Sequence, residues 1–253
     1  MCLIALAWQS HPEFSLVVAA NRDEWRERPT EASGWWKDHP EILAGRDLRA
    51  GGTWMGITKG GRFAAVTNFR DPSDKRTTAL SRGNLVADFL LADSSPHDYL
   101  ASLVPRAPQF NGFNLIVGDG KSLAYFGSRE STARDIEPGV HGLSNHLLDE
   151  PWPKVTRARL AMEAARGDPK PAPRLFALLS DRNVASDGEL PDTGVGIAWE
   201  RRLAPALITG EEYGTRSSTV LTVSRAGLVT WEERTLDAAG GDSAVRNASF
   251  RVS

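Results

Sequence analysis

Met1-Cys2-Leu3-Ile4-Ala5-Leu6-Ala7-Trp8 opens the chain. The turn cluster Gln9-Ser10-His11-Pro12-Glu13 follows, then a second apolar run, residues 14–20, closed by Asn21-Arg22-Asp23-Glu24. The first run is almost continuously apolar, the pattern of a strand covered on both faces. Val17-Val18 gives the second run a β-branched centre, again strand-like. Paired as a hairpin, the two runs bring the Asn-Arg-Asp-Glu group back beside Cys2. Cys2 is the only cysteine of 253 residues. It is small enough that removal of Met1 is the expected processing, which would leave a thiol beside a free α-amine. That amine titrates near ~7.7–8.0, and a terminal amine can activate a side-chain nucleophile. One segment thus supplies a nucleophile, a base and a cationic neighbour.

Composition narrows the function classes. An apolar fraction of 41% and a charged fraction of 25% are those of a globular protein. Net charge is −2 and no Lys/Arg run tracks a phosphate backbone, so nucleic acid is not an expected partner. A single Cys excludes an intrachain disulfide and multi-thiolate metal sites, and suits a reducing compartment. The opening lacks the basic region of a signal peptide, and no apolar run reaches the roughly 20 residues of a membrane span. A cytoplasmic location without an integral membrane segment is the expectation.

Along the chain, residues 25–50 mix charges with Pro29, Pro40 and Gly45 and read as a long loop. Hairpins are expected around Lys59-Gly60-Gly61, Asp119-Gly120-Lys121 and Arg225-Ala226-Gly227. The stretch from Asn68 to Leu80 reads as loop. Helices are expected over 82–92, capped by Ser81, over 96–104, capped by Ser95, and over 153–166 and 174–179. Residues 181–195 read as surface loop, and 250–252 as an edge strand. With hairpins at both ends and helices between them, the reading is a single α+β domain over 1–253, with stacked sheets and helices outside.

Asn recurs at strand ends: Asn21 with Arg22 and Asp23, Asn68 with Arg70, Asn114, and Asn145 within Ser144-Asn145-His146. A strand-end amide has a fixed direction and can serve as an oxyanion donor, although Asn is also a common turn residue. Arg216 opens a β-branched strand and is a candidate to favour the Cys2 thiolate. The five His show no i, i+4 pair on a helix, so no metal site is expected. Nor is there a Cys-Pro pair of the kind associated with haem regulation. Chemistry at a thiol nucleophile of this kind requires no cofactor.

Seven blocks in order resemble one known family. They are Asn21-Arg22-Asp23-Glu24, Gly51-Gly52-Thr53-Trp54-Met55-Gly56, Thr67-Asn68-Phe69-Arg70, Ser81-Arg82-Gly83, Asn111-Gly112-Phe113-Asn114-Leu115, Gly142-Leu143-Ser144-Asn145, and residues 213–219. The chain resembles the NRDE, or transport and Golgi organisation protein 2, family, which is itself similar to N-terminal nucleophile (Ntn) hydrolases of the penicillin acylase and bile-salt hydrolase branch. The resemblance implies a four-layer αββα sandwich of two stacked antiparallel sheets flanked by helices. It also implies a Cys2 nucleophile, Arg22 and Asp23 beside it, Asn145 at the substrate carbonyl and Arg216 as a late active-site arginine. Asn21, Asn68 and Asn114 are added here as further oxyanion donors. Adjacent strand residues point to opposite faces, so only a strand that has already turned brings both Arg22 and Asp23 to the thiol. The implied reaction is cleavage of a small-molecule amide through a Cys2 thioester. The resemblance also implies haem trafficking or acyl-lipid homeostasis, and hence the alternative of a non-catalytic haem- or acyl-lipid-binding protein with an apolar lip at Trp35-Trp36 and Trp54.

Overall fold

The computed structural model describes residues 2–74, 76–77 and 79–253. The expected removal of Met1 lies outside the described residues, as do Lys75 and Thr78 of the segment read as loop. In chain order the strands and helices are β1 (Cys2–Trp8), β2 (Phe14–Trp25), β3 (Thr30–Trp35), β4 (Ile42–Asp47), β5 (Met55–Thr58) and β6 (Phe63–Asn68). Next come α1 (Arg82–Leu91), α2 (Pro96–Leu103), β7 (Phe113–Gly118), β8 (Leu123–Gly127), β9 (Arg134–Asp135) and β10 (Gly139–Leu143). The chain ends with α3 (Pro153–Ala165), α4 (Ala172–Leu179), α5 (Ile197–Leu203), β11 (Tyr213–Ser224), β12 (Leu228–Leu236) and β13 (Asp242–Arg251).

The strands form two antiparallel sheets, ordered β10-β1-β2-β11-β12-β13 and β3-β4-β5-β6-β7-β8-β9. Strand alternation sorts the apolar residues into layers. Ile4, Leu6 and Trp8 of β1, with Val18 and Ala20 of β2, meet Met55, Ile57, Phe63 and Ile116 between the sheets. Leu3, Ala5 and Ala7, with Val17 and Ala19, turn outward onto Val155, Ala158 and Met162 of α3 and Leu175 and Leu179 of α4. The second sheet's outer face packs against Leu85, Val86 and Phe89 of α1 and Leu100 of α2. The architecture is therefore αββα, and the doubly covered β1 is the reason its sequence shows no alternation.

Several expectations are corrected. Residues 25–50 hold β3 and β4, which continue the second sheet. Gly45 interrupts β4's apolar pattern because the Trp54 ring occupies its side-chain space, where a Cβ would lie 2.1 Å from a ring carbon. β13 begins at Asp242, within a Gly/Ala/Asp-rich stretch whose composition hides an exposed edge strand. Ser81 stands at the N-cap of α1 but makes no side-chain cap bond, whereas Ser95 does cap α2 through the Asp98 amide. Among the described residues no helix is long and apolar enough to cross a membrane.

Candidate active site

The β1–β2 register places Cys2 directly opposite Arg22. Both share the face of Ile4 and Ala20, so both turn toward the space between the sheets. There they line a cavity of about 420 Å³ whose other walls include Trp54, Asn68, Ser81, Arg82 and Gly83. The Arg22 guanidinium is 5% exposed and lies over the Trp54 ring, 4.3 Å from its centroid. Cys2 is half-buried. Burial and the Asp23 charge push its thiol pKa up, while the Asp23 main-chain N–H on the sulfur and the Arg22 charge pull it down. The resting group is thus a protonated thiol that needs a base.

Asp23 occupies the opposite face of β2, as strand alternation requires, so the strand does not bring its side chain to the thiol beside Arg22. A β-bulge at Thr215–Ser217 interrupts pairing with β11 at this level. Asp23 Oδ1 accepts from the Thr215 hydroxyl at 2.7 Å. Burial raises the Asp23 carboxyl pKa, and the Lys154 charge and the Thr215 hydrogen bond work against that rise. Lys154 is itself 3% exposed, donates to the Leu203 carbonyl at 2.9 Å, and is driven down to about 8 by burial. Arg70 and Glu200 form a buried ion pair in the same layer. Behind the thiol, then, lies a buried network in which Asp23 contributes its main chain to Cys2 and its carboxylate to the charges below.

The amide candidates separate clearly. Asn68 lines the cavity. Asn145 is fully buried, and its Nδ2 donates to the Asn68 carbonyl at 2.9 Å. Neighbouring Ser144 donates to the Cys2 carbonyl at 3.0 Å, so the Ser-Asn pair fixes the ends of β1 and β6 together. Asn21 is not at the thiol: it points to the helix layer, where Nδ2 donates to the Leu179 and Ala206 carbonyls and Oδ1 accepts from Ser218. Asn114 is not available as a donor either. It gives Nδ2 to Thr67 Oγ1 and the His146 carbonyl and accepts from the Tyr125 hydroxyl. Arg216 does not line the cavity; its Nη1 binds the carbonyls of Trp25, Arg26 and Arg28 and clamps the turn after β2. Trp35 and Trp36 also lie away from this cavity, Trp35 packed on Phe250 and Trp36 over the Arg46 guanidinium. Only Trp54 of the expected lip reaches it.

Sequence reading missed Lys154, Glu200 and Arg82. The one available signal for Lys154 was a lysine immediately before the apolar stripe of α3. Glu200 resembled an ordinary surface helix charge, and Arg82 stood within the Ser81-Arg82-Gly83 block without being given a role. Among the described residues no group of three or more His, Cys, Asp or Glu converges as a metal site.

A family model described as Transport and Golgi organisation 2 matches residues 1–238. The Transport and Golgi organization protein 2 homolog of Bos taurus is 36% identical over 258 residues, covering 93% of each chain. Its Homo sapiens counterpart is 34% identical with the same coverage. The Drosophila melanogaster protein is 27% identical, covering 93% of this chain and 92% of that one. Among solved structures, the C2A mutant of a conjugated bile acid hydrolase from Clostridium perfringens aligns with TM-score 0.48 at 9% identity, over 99% of this chain and 97% of that one. A Caenorhabditis elegans N-acylethanolamine-hydrolyzing acid amidase ortholog aligns with TM-score 0.43 at 10% identity, over 87% and 92% of the two chains.

Proposed function

This chain belongs to the Transport and Golgi organisation 2 family, and on that premise we propose that it is a thiol amidohydrolase of the N-terminal nucleophile kind, acting at Cys2. The observation that carries this reading is the placement of Cys2. Its sulfur stands in a cavity of about 420 Å³, opposite Arg22 and on the Asp23 main-chain N–H. With Met1 removed, the Cys2 α-amine takes the thiol proton and the sulfur attacks the amide carbonyl carbon. The Asn68 side chain, on a main chain whose carbonyl Asn145 holds, supports the oxyanion. The C–N bond breaks, the amine leaves with the proton held by the α-ammonium, and water hydrolyses the thioester to the acid. Arg22 stabilises the thiolate, and Asp23 holds the strand end and its charge behind the amine.

The test is turnover of a panel of small amides by the processed chain and by Cys2→Ala. Loss of turnover with an unchanged melting temperature is expected, together with an acyl adduct on intact wild-type protein that is absent from the variant. Equal turnover by the two proteins overturns the reading. A binding-only role for haem or an acyl lipid uses the same cavity, where Trp54, Val66 and Leu80 offer apolar contacts. Saturable binding of either ligand without any amide turnover distinguishes it.

A further inference from the structure

The Cys2 cavity is much more cationic than the chain that holds it. Arg22, Arg28, Arg49, Arg76 and Arg82 line it against a single carboxylate, Asp47, in a protein of net charge −2. Two of the five are already engaged. Arg28 forks onto Asp47 through Nε at 2.9 Å and Nη2 at 2.5 Å. Arg76 holds Asp74 and the Pro108 and Phe110 carbonyls. The remaining charges are not so neutralised. Arg82 Nη1 donates to the Gly112 carbonyl at 3.1 Å, which orients the guanidinium without cancelling its charge. Arg22 Nη2 lies 3.9 Å from Glu24, beyond hydrogen-bond reach. Its buried Nη1 has no hydrogen-bond partner among the described residues. An unpartnered guanidinium nitrogen in a 5%-exposed side chain at a cavity wall calls for an acceptor.

The same wall carries the first turn of α1. Ser81, Arg82 and Gly83 all line the cavity, the Ser81 hydroxyl is not used as a cap, and the first turn contains no acidic residue. The Asn84 N–H is taken by the Ser81 carbonyl at 3.1 Å, but the other opening N–H groups of a helix have no intrahelical partner, and the helix dipole adds positive potential there. Gly52 and Gly83 let this turn approach: a Cβ on Gly52 would stand 2.4 Å from the Gly83 carbonyl carbon, and the Thr53 N–H donates to Gly83 O at 3.2 Å. Two glycine-bearing motifs that otherwise lack a role thus seat a helix N-terminus beside two arginines and a hydroxyl.

We infer that Ser81, Arg82, the first-turn amides of α1 and Arg22 form a subsite for a phosphoryl group of the ligand that enters the Cys2 cavity. A tetrahedral dianion satisfies a fork of guanidiniums and a helix N-terminus together. Glu24 lies 3.9 Å from both Arg22 and Arg28 and offsets part of this charge, yet five arginines line the cavity, so a dianion fits better than a single carboxylate. The inference rests on the cavity being the ligand site, but not on Cys2 turning anything over.

The experiment is calorimetric titration of the full-length protein with pyrophosphate, using the wild type, Cys2→Ala, Arg82→Gln and Ser81→Ala, with Arg166→Gln at the exposed C-cap of α3 as the charge control. Wild type, Cys2→Ala and Arg166→Gln are expected to bind alike. Arg82→Gln should weaken binding by about 10- to 100-fold, the range for one charge-assisted hydrogen-bonding group. Ser81→Ala should weaken it by about threefold to tenfold with an unchanged melting temperature, because its hydroxyl caps nothing. Absence of wild-type binding, equal binding by Arg82→Gln and Ser81→Ala, or tighter binding of succinate than of pyrophosphate overturns the assignment. Cys2→Ala separates the two readings: retained pyrophosphate binding supports the subsite whatever its turnover, and retained turnover sinks the hydrolase whatever its binding.

Discussion

Lys154→Met tests the buried charge layer behind Cys2. Lys154 sits at about 8 in the folded protein because burial disfavours its ammonium, with Asp23 as the largest opposing cause; an unfolded lysine titrates near ~10.4. A base with a depressed folded pKa destabilises the fold while both states hold the proton. At pH 7 that penalty is nearly complete, about 3 kcal/mol for a difference of about 2.4 units. As pH rises from about 8 toward 10.4 the folded state releases its proton first, so this group's contribution becomes more favourable. Linkage gives a gain of about 2 kcal/mol between pH 7 and 9.5. Met has similar length and no charge, so the variant lacks this gain. It also loses the hydrogen bond to Leu203 O, a cost independent of pH. Urea melts of both proteins at pH 7 and 9.5 should therefore show the wild-type-minus-variant stability difference moving by about 2 kcal/mol in favour of the wild type. Asp23→Asn removes the main cause keeping Lys154 charged, so in that background the rise should begin at lower pH. A stability difference that stays constant across this range refutes the account of Lys154 as a buried, strained cation.

Two further perturbations test the supports of the site. Glu200→Gln leaves the 8%-exposed Arg70 without its buried carboxylate partner and should cost about 3–5 kcal/mol in a urea melt; a loss below 1 kcal/mol would show that the pair is solvated. Gly52→Ala forces a methyl onto the Gly83 main chain, so a destabilisation of about 1–3 kcal/mol is expected. Pyrophosphate affinity should fall with it, and unchanged affinity would detach the α1 N-terminus from the ligand.

The sequence by itself determined the β1–β2 hairpin, an α+β arrangement of stacked sheets with helices outside, and the position of Cys2 at a strand start. These follow from local patterns: an unbroken apolar run for a strand covered twice, the β-branched pair Val17-Val18, and turn clusters, whereas the four-layer αββα order was implied only by the family resemblance. It also carried the family's motif order. Residues 25–50 were not legible because β3 and β4 owe their strand form to sheet pairing and to packing such as Trp54 on Gly45, which leave little periodic apolar signal. The fates of the strand-end asparagines were decided only by tertiary structure. Asn21, Asn68, Asn114 and Asn145 read alike along the chain, yet what each amide touches depends on strand face and on partners that are mostly distant in sequence. Asn21 is consumed by the carbonyls of Leu179 and Ala206 and Asn114 by that of His146, while Asn68 is left on the cavity wall. Arg82 and Lys154 show the same limit from the other side. A charge on a helix reads as solvated surface until folding either buries it beneath another layer or turns it, beside Arg22, into a cavity.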